Sequence, residues 1–248
     1  ISKESIFSDL NNLSVNTALS SESDERYGFT EAEVAALGAY LGYDGFMDEA
    51  RQWYDGYRFG KQDIYNPWSM LNYFKQDCEA DVYWGNTSGN AVVGDLIHSA
   101  GQKTTEQIYA LMEPGGLVSA PLNLGVVFPD LGVRPEAIWS MLYLAGYLTT
   151  EDTARPGRDD LIRRLRIPDL EISFLYKTEI IRRFADVAGG NNRLIDFHEA
   201  LCSGDEERLQ EELSAILRDS TSAFDIVSEN SQHMLMIGLC FGAPGYDN

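Results

Sequence analysis

The sequence has few cysteines and no long apolar run. Its cysteines, Cys78, Cys202 and Cys240, are far apart and odd in number, so they form neither a metal-ligand spacing nor a disulfide framework. The densest apolar run, residues 234–241, is eight residues long, whereas a membrane-spanning helix needs about 20. The chain begins with a polar, amphiphilic stretch that does not resemble a signal peptide. These absences lead us to expect a cytoplasmic protein without membrane contact.

The motifs of nucleotide binding and nucleophilic catalysis are also missing. A P-loop requires a glycine-rich turn and a lysine that enters a helix, and neither residues 60–62 nor residues 101–104 meet that spacing. Serine hydrolases of the α/β type carry their nucleophile in a Gly-x-Ser-x-Gly elbow, and the sequence contains no such motif. The histidines are isolated from one another and are expected to be structural; they are His98, His198 and His233. We therefore predict that this sequence contains no catalytic residue.

Basic residues are scarce, with 19 Lys and Arg against 39 Asp and Glu and a net charge of −20. The surface as a whole is therefore not expected to bind nucleic acid, because phosphate contacts require cations. One segment, residues 155–183, nevertheless holds eight bases and five acids. Alternation within it predicts a strand with Arg164 and Arg166 on one face and Leu165 and Ile167 on the other. The candidate nucleic-acid-binding residues are Arg155, Arg158, Arg163, Arg164 and Arg166.

Helix start and stop signals dominate the rest of the sequence, which predicts a mainly α chain of the α+β class. Gly42 and Gly146 are predicted to end helices. A helix before residue 146, a hairpin over residues 147–167 and a long helix after it are typical of the end of a winged-helix module, and also of a generic α+β unit. The predicted N-caps are Thr30 with Glu33, Asn66 before Pro67, Thr104 with Gln107, Asp169 after Pro168, and Ser203 with Glu206.

Three segments are unusually rich in aromatic residues, namely WYDGYRFG (residues 53–60), YNPWSMLNYF (65–74) and YWGNTSGN (83–90). Aromatic rings bury a large area while their polar ends find hydrogen-bond partners. We interpret these segments as rigid loops between helices. A structural junction is the favoured role, and a binding surface is the alternative.

At these segments the sequence resembles the bacterial AAA-ATPase-like family fused to a PD-(D/E)XK nuclease domain. The resemblance extends in family order over nearly the whole chain. It is carried by ISKESIFSDLNNL, YGFTEAEV, WYDGYRFG, IYNPWSMLNYF, YWGNTSGN, IWSMLYLAGYLTT, LRIPDLEI and ENSQHMLMIGL.

This resemblance implies a layout in four parts. Residues 1–25 would be the tail of the ATPase core, 26–115 a helical lid, 116–188 a winged-helix-like module, and 189–248 the first helices of an incomplete α/β nuclease domain. The residues that bind ATP and Mg²⁺ in the parent protein would precede and follow this chain, which would itself hold no cofactor and be inactive. Its implied partners are the upstream ATPase core, the downstream nuclease domain and DNA.

Three further residues are candidates under this resemblance. Tyr57 and Arg58 would reach a nucleotide from the lid. Glu229 would lie where the first nuclease helix supplies a carboxylate, and it shares a helix face with His233, although a plain polar stripe gives the same spacing. One carboxylate cannot hold Mg²⁺ for hydrolysis, so this metal site would be incomplete. The alternative function is a non-catalytic protein-interaction module that docks through the aromatic loops.

Overall fold

The computed structural model of the chain describes residues 18–86, 102–124, 137–152, 162–188, 190–220, 236, 238–240 and 243–244. The α-helices of these stretches are α1 (Glu31–Leu41), α2 (Met47–Tyr54), α3 (Pro67–Lys75), α4 (Gln102–Met112), α5 (Ala137–Leu144), α6 (Leu170–Ala188), α7 (Asn191–Ser203) and α8 (Glu206–Ser220). The strands are β1 (Tyr57–Phe59), β2 (Gln62–Ile64), β3 (Val118–Pro121), β4 (Thr149–Thr150) and β5 (Ile162–Arg166). Short 3-10 helices cover Asp24–Arg26 and Trp84–Asn86. The predicted mainly helical α+β class is confirmed.

Helices α1, α3 and α6 begin at the caps that the sequence predicts. The Thr30 hydroxyl accepts a hydrogen bond from the Glu33 N–H, and the Thr30 N–H donates to the Glu33 carboxylate, which is a complete capping box. The side chain of Asn66 accepts from the Trp68 N–H at 3.0 Å. The Asp169 carboxylate accepts from the Ile172 N–H at 2.9 Å. These local signals are confirmed because each cap needs only neighbouring residues.

Two predicted caps are wrong. Helix α4 begins at Gln102, so Thr104 lies inside it and does not precede it. Ser203 is the last residue of α7, and its hydroxyl donates to the Ala200 carbonyl. The cap of α8 is Asp205, whose side chain accepts from the Arg208 N–H at 3.1 Å.

The structure divides into two compact units. The first unit contains Ile1–Asn90 and Gln107–Leu175, and the second unit contains Ala91–Glu106 and Tyr176–Asn248. Segments predicted as lid and as winged-helix-like module thus both contribute to the first unit. Their assignment to an ATPase–nuclease stays a prediction.

An aromatic core holds α1, α2 and α3 together in the first unit. The ring of Phe46 packs edge-on against Phe74, with ring centroids 5.1 Å apart. A Cβ atom at Gly38 would lie 2.1 Å from the Phe46 ring, so only glycine lets α1 approach this core so closely. The buried members of the core are Val34, Phe46, Ala50, Tyr54, Tyr65, Met70, Tyr73 and Phe74.

Two antiparallel sheets complete the first unit. Strands β1 and β2 form a hairpin in which Arg58 lies opposite Asp63. The second sheet has the order β3-β5-β4, with β5 in the centre. Leu165 of β5 is fully buried and pairs with Val118 on one side and Thr150 on the other. The predicted strand around Leu165 is therefore confirmed.

The aromatic segments are more regular than the loops that we expected. WYDGYRFG comprises the end of α2 and strand β1 with its turn, and YNPWSMLNYF is largely α3. The loop interpretation is wrong for these two. In the third segment, Trp84–Asn86 is a 3-10 helix, and residues 87–90 lie outside the described residues.

In the second unit, α7 packs against α8. Leu194, Phe197 and Ala200 of α7 are buried. Arg208 of α8 donates to Asp196 of α7 at 2.6 Å, which fixes the two helices on their polar side. The helix predicted near residues 229–241 lies mostly outside the described residues, and in the part that the structure describes no helix is long and apolar enough to cross a bilayer.

Candidate functional site

Four of the segments that carry the resemblance meet around the start of α6, within the first unit; they are WYDGYRFG, IYNPWSMLNYF, YWGNTSGN and LRIPDLEI. The sequence Arg-Ile-Pro-Asp-Leu-Glu at residues 166–171 leads from the central strand β5 into this helix. Two of its charged side chains, Arg166 and Glu171, form hydrogen bonds with segments that are far away in sequence. We call this arrangement the polar junction, and its members are Arg166, Asp169, Glu171, Gly56, Ser69 and Trp84.

Glu171 joins three elements through one fully buried carboxylate. It accepts a hydrogen bond from the Ser69 hydroxyl at 2.6 Å and another from the Trp84 N–H at 2.5 Å. Burial raises the pKa of Glu171, and these two hydrogen bonds partly offset that rise. The carboxylate thus ties the first turn of α6 to α3 and to the 3-10 helix at Trp84.

Asp169 is the buried cap of α6, with 8% of its surface exposed. One carboxylate oxygen accepts from the Ile172 N–H, whereas the other has no hydrogen-bond partner among the described residues. Burial raises the pKa of Asp169 well above its ordinary value, the Glu171 and Asp55 carboxylates raise it further, and the Arg166 guanidinium opposes them. The physical cause of the raised pKa is that a buried carboxylate is poorly solvated in its charged form.

Arg166 binds backbone carbonyl groups. Its guanidinium donates to the carbonyl oxygens of Ile167 at 3.1 Å, Pro168 at 2.9 Å and Gly56 at 2.9 Å. Among the described residues, the carboxylate that pairs with it is that of Glu151, at 3.8 Å. Arg166 therefore ties the base of the β1–β2 hairpin to the β5–α6 connection.

Gly56 allows this close approach. Its φ angle is +139°, in the region that only glycine adopts easily. A Cβ atom at this position would lie 1.9 Å from the Pro168 carbonyl oxygen. Glycine at residue 56 is thus required by the contact with the β5–α6 connection.

The structure brings only some of the candidate nucleic-acid-binding arginines together. Arg163, Arg164 and Arg166 lie on β5, whereas Arg155 and Arg158 lie outside the described residues. The Arg164 side chain donates to Asp152 at 3.2 Å, and its backbone N–H donates to the same carboxylate at 2.8 Å. Nucleic-acid contact by these residues stays a prediction.

The candidate nucleotide contacts lie on the β1–β2 hairpin. The Arg58 guanidinium donates to Asp63 at 2.7 Å, and the Arg58 backbone N–H donates to the Thr149 hydroxyl at 2.9 Å. Tyr57 lies beside Gly146, where a Cβ atom would be 3.7 Å from its ring. A phosphate would have to displace Asp63 from Arg58, and nucleotide binding by either residue stays a prediction.

The candidate metal ligand Glu229 lies outside the described residues. Within the part of the chain that the structure describes, no group of three or more His, Cys, Asp or Glu side chains is placed to hold a metal ion. Metal binding by Glu229 stays a prediction.

The role of Glu171 was not predicted from the sequence. The cap at Asp169 was predicted from the sequence, because Asp169 follows a proline and precedes an apolar helix. Nothing local distinguishes Glu171 from a solvated acid in a first helical turn, where acids are common. Its partners Ser69 and Trp84 come from distant segments, so only the fold reveals that it is buried.

Comparisons with known proteins give an uncharacterised relative. The chain is 32% identical over 185 residues to a protein of Azotobacter chroococcum mcd 1 that is described as an uncharacterised protein in the vnfD 5′ region. The alignment covers 74% of this chain and 33% of that protein, so the chain spans about a third of the relative's length. No protein-family model and no solved structure match the chain.

Proposed function

We propose that this chain is the linking part of an AAA-like ATPase fused to a nuclease, and that it transmits the nucleotide state of the ATPase to a nucleic-acid-binding module without performing chemistry. The observation that carries the proposal is the meeting of four family-like segments at the polar junction. The hydrogen bonds that the Glu171 carboxylate accepts from the Ser69 hydroxyl and the Trp84 N–H join segments that the resemblance assigns to the lid and to the winged-helix-like module. A connection of this kind suits a part that passes a movement from one module to the next.

The order of the second sheet supports the winged-helix-like assignment. A winged helix ends with a helix followed by a two-stranded hairpin. The second strand of that hairpin pairs with a strand that comes before the helix in sequence. Here α5 precedes β4 and β5, and the earlier strand β3 pairs with β5. The matched region is 33% of the length of the curated relative. This supports the proposal that the chain is part of a longer protein.

Within the described residues, nucleic-acid binding is assigned to Arg163 and Arg164 of β5. Arg166 is held by three carbonyl oxygens, so we do not expect it to reach a phosphate. Arg164 has 54% of its side chain exposed, and a surface ion pair of this kind contributes only about 0–1 kcal/mol. A phosphate can therefore replace Asp152 as its partner.

The test is retardation of duplex DNA by the purified chain at low salt. Arg163→Glu with Arg164→Glu should weaken binding by about tenfold or more and flatten its dependence on salt. The matched control is Arg26→Glu with Arg51→Glu, which changes the net charge equally at exposed arginines elsewhere in the first unit and should leave most of the binding intact. If the unmodified chain does not retard DNA, the nucleic-acid role is wrong and the protein-interaction module is favoured.

A further inference from the structure

Helix α3 presents two large apolar side chains to solvent. Trp68 and Leu71 are 54% and 51% exposed, and they lie three residues apart on one face of the helix. The opposite face, with Met70, Tyr73 and Phe74, is buried in the aromatic core. The buried face therefore attaches α3 to the core, and about half of the surface of Trp68 and of Leu71 remains accessible. We call this exposed pair the α3 stripe.

The indole of Trp68 is fixed before anything binds to it. Its ring N–H donates to the Tyr83 carbonyl oxygen at 3.3 Å, and the Tyr83 hydroxyl donates to the Glu79 carbonyl at 2.5 Å. The Tyr83 ring packs beside the buried ring of Tyr54, with centroids 6.1 Å apart. A side chain that is already ordered loses little conformational entropy on binding, and Trp is one of the residue types enriched among those that contribute most to the binding energy of protein interfaces.

An acidic segment borders the α3 stripe. After α3 the chain turns through residues 77–78, which have φ angles of 53° and 62°, and it runs back until Tyr83 reaches Trp68. Three exposed acids lie on this return segment; they are Asp77, Glu79 and Asp81. Among the described residues, no Lys or Arg forms an ion pair with any of them.

We propose that the α3 stripe and the acids beside it form a docking surface for a basic, amphipathic segment of a partner protein. The partner would place apolar side chains on Trp68 and Leu71 and its Lys or Arg side chains near Glu79 and Asp81. Complementary charge sets the orientation and rate of such an encounter, and the net charge of −20 favours a cationic partner. Within α3, which the structure describes from end to end, the only base is the exposed Lys75 at its C-terminal end. The same acids repel nucleic acid, so this surface is separate from any DNA contact.

The proposal is tested by fluorescence anisotropy with the full chain and a labelled helical peptide that carries Leu on one face and Lys on the other. We expect the peptide to bind and the affinity to fall as salt is added. Trp68→Ala with Leu71→Ala should weaken binding by at least about tenfold. Glu79→Lys, an exposed change that leaves the apolar side chains in place, should weaken binding by about threefold or more and reduce its salt dependence.

Two controls make the test specific. Tyr40→Ala with Leu41→Ala removes apolar side chains that are 86% and 47% exposed on α1, and it should leave the affinity unchanged. A second peptide, with Glu in place of every Lys, should bind at least about tenfold more weakly to the unmodified chain.

The proposal is overturned if the peptide does not bind, if both peptides bind equally, or if the variants at Trp68, Leu71 and Glu79 match the α1 control. It is also overturned if sedimentation shows that the chain dimerises and that Trp68→Ala with Leu71→Ala makes it monomeric, because the occupant would then be a second copy of this chain.

Discussion

The carboxylate of Glu171 and the hydroxyl of Ser69 form a 2.6 Å hydrogen bond across a sequence separation of 102 residues. Both side chains are fully buried, and the carboxylate also accepts the Trp84 N–H. Because a buried donor or acceptor that loses its partner is costly, this bond makes the position of the first turn of α6 depend on that of α3.

Glu171→Ala should therefore destabilise the chain substantially. It leaves the Ser69 hydroxyl and the Trp84 N–H without their acceptor, and we expect a loss of about 2–4 kcal/mol in the free energy of unfolding. Ser69→Ala removes one donor and should cost about 1–2 kcal/mol. Urea denaturation measures both. The control Glu113→Ala, at an exposed position, should change the free energy by less than about 0.5 kcal/mol, and equal losses at residues 113 and 171 would contradict the buried role of Glu171.

The stability of the chain should depend on the protonation of Asp169. Its pKa is raised in the folded state by burial, so the folded state binds a proton more tightly than the unfolded state. The resulting stabilisation is complete below the unfolded pKa of about 4 and is lost as pH rises through the folded pKa. Asp169→Asn keeps an oxygen that accepts from the Ile172 N–H but does not titrate.

The measurement is the free energy of unfolding of both proteins from pH 4 upward. The free energy of unfolding of Asp169→Asn minus that of the unmodified chain should become more positive as pH rises. The nearby carboxyl groups of Asp55 and Glu171, whose pKa values are also raised by burial, are present in both proteins. A constant difference over the whole range would show that Asp169 has the same pKa folded and unfolded.

Gly56→Ala tests the contact between the hairpin base and the β5–α6 connection. The new Cβ atom would meet the Pro168 carbonyl oxygen in a strained backbone conformation, and we expect a loss of about 2 kcal/mol or more. Gly115→Ala is the matched control, because Gly115 also has a positive φ, +73°, but no atom lies within 4 Å of the position that a Cβ would take there. Gly115→Ala should reduce the free energy of unfolding by about 1 kcal/mol through backbone strain alone. Thermal unfolding of the two variants therefore separates the effect of backbone strain from that of the steric clash with the Pro168 carbonyl oxygen.

Arg166 and Arg164 should differ in their effect on stability although they lie two residues apart on β5. Arg166→Ala leaves three carbonyl oxygens without their donor and should cost about 2 kcal/mol. Arg164→Ala removes an exposed ion pair and should cost about 1 kcal/mol or less. Chemical denaturation of both variants measures this difference, and a larger loss for Arg164 would reverse the roles assigned to the two residues.

Several elements that depend on neighbouring residues could be predicted from the sequence, whereas the contacts between distant segments could not. The capping box at Thr30 and the strand around Leu165 follow from local spacing. The cap at Ser203 was wrong because Asp205 lies closer to the helix start and supplies the same kind of acceptor. The β1–β2 hairpin was missed because its strands are only three residues long, too short for alternation to show, although Gly60 between them is a turn signal.

The candidate site shows the same division. The arginines of β5 were correctly placed on a strand, but the sequence does not show that Arg166 binds carbonyl oxygens or that Arg164 pairs with Asp152. Those partners are set by the approach of segments up to 110 positions apart. The alternation of polar and apolar residues indicates which face of a strand a side chain occupies. It does not indicate which residues that face contacts.

The central claim, that these residues link catalytic domains and perform no chemistry, is tested most directly by phosphate release from ATP in the presence of Mg²⁺ and the purified chain. We predict a rate equal to that of buffer with ATP and Mg²⁺ alone, for the unmodified chain and for Arg58→Ala. A faster rate that Arg58→Ala abolishes would contradict the claim, because it would show a working nucleotide site within these 248 residues.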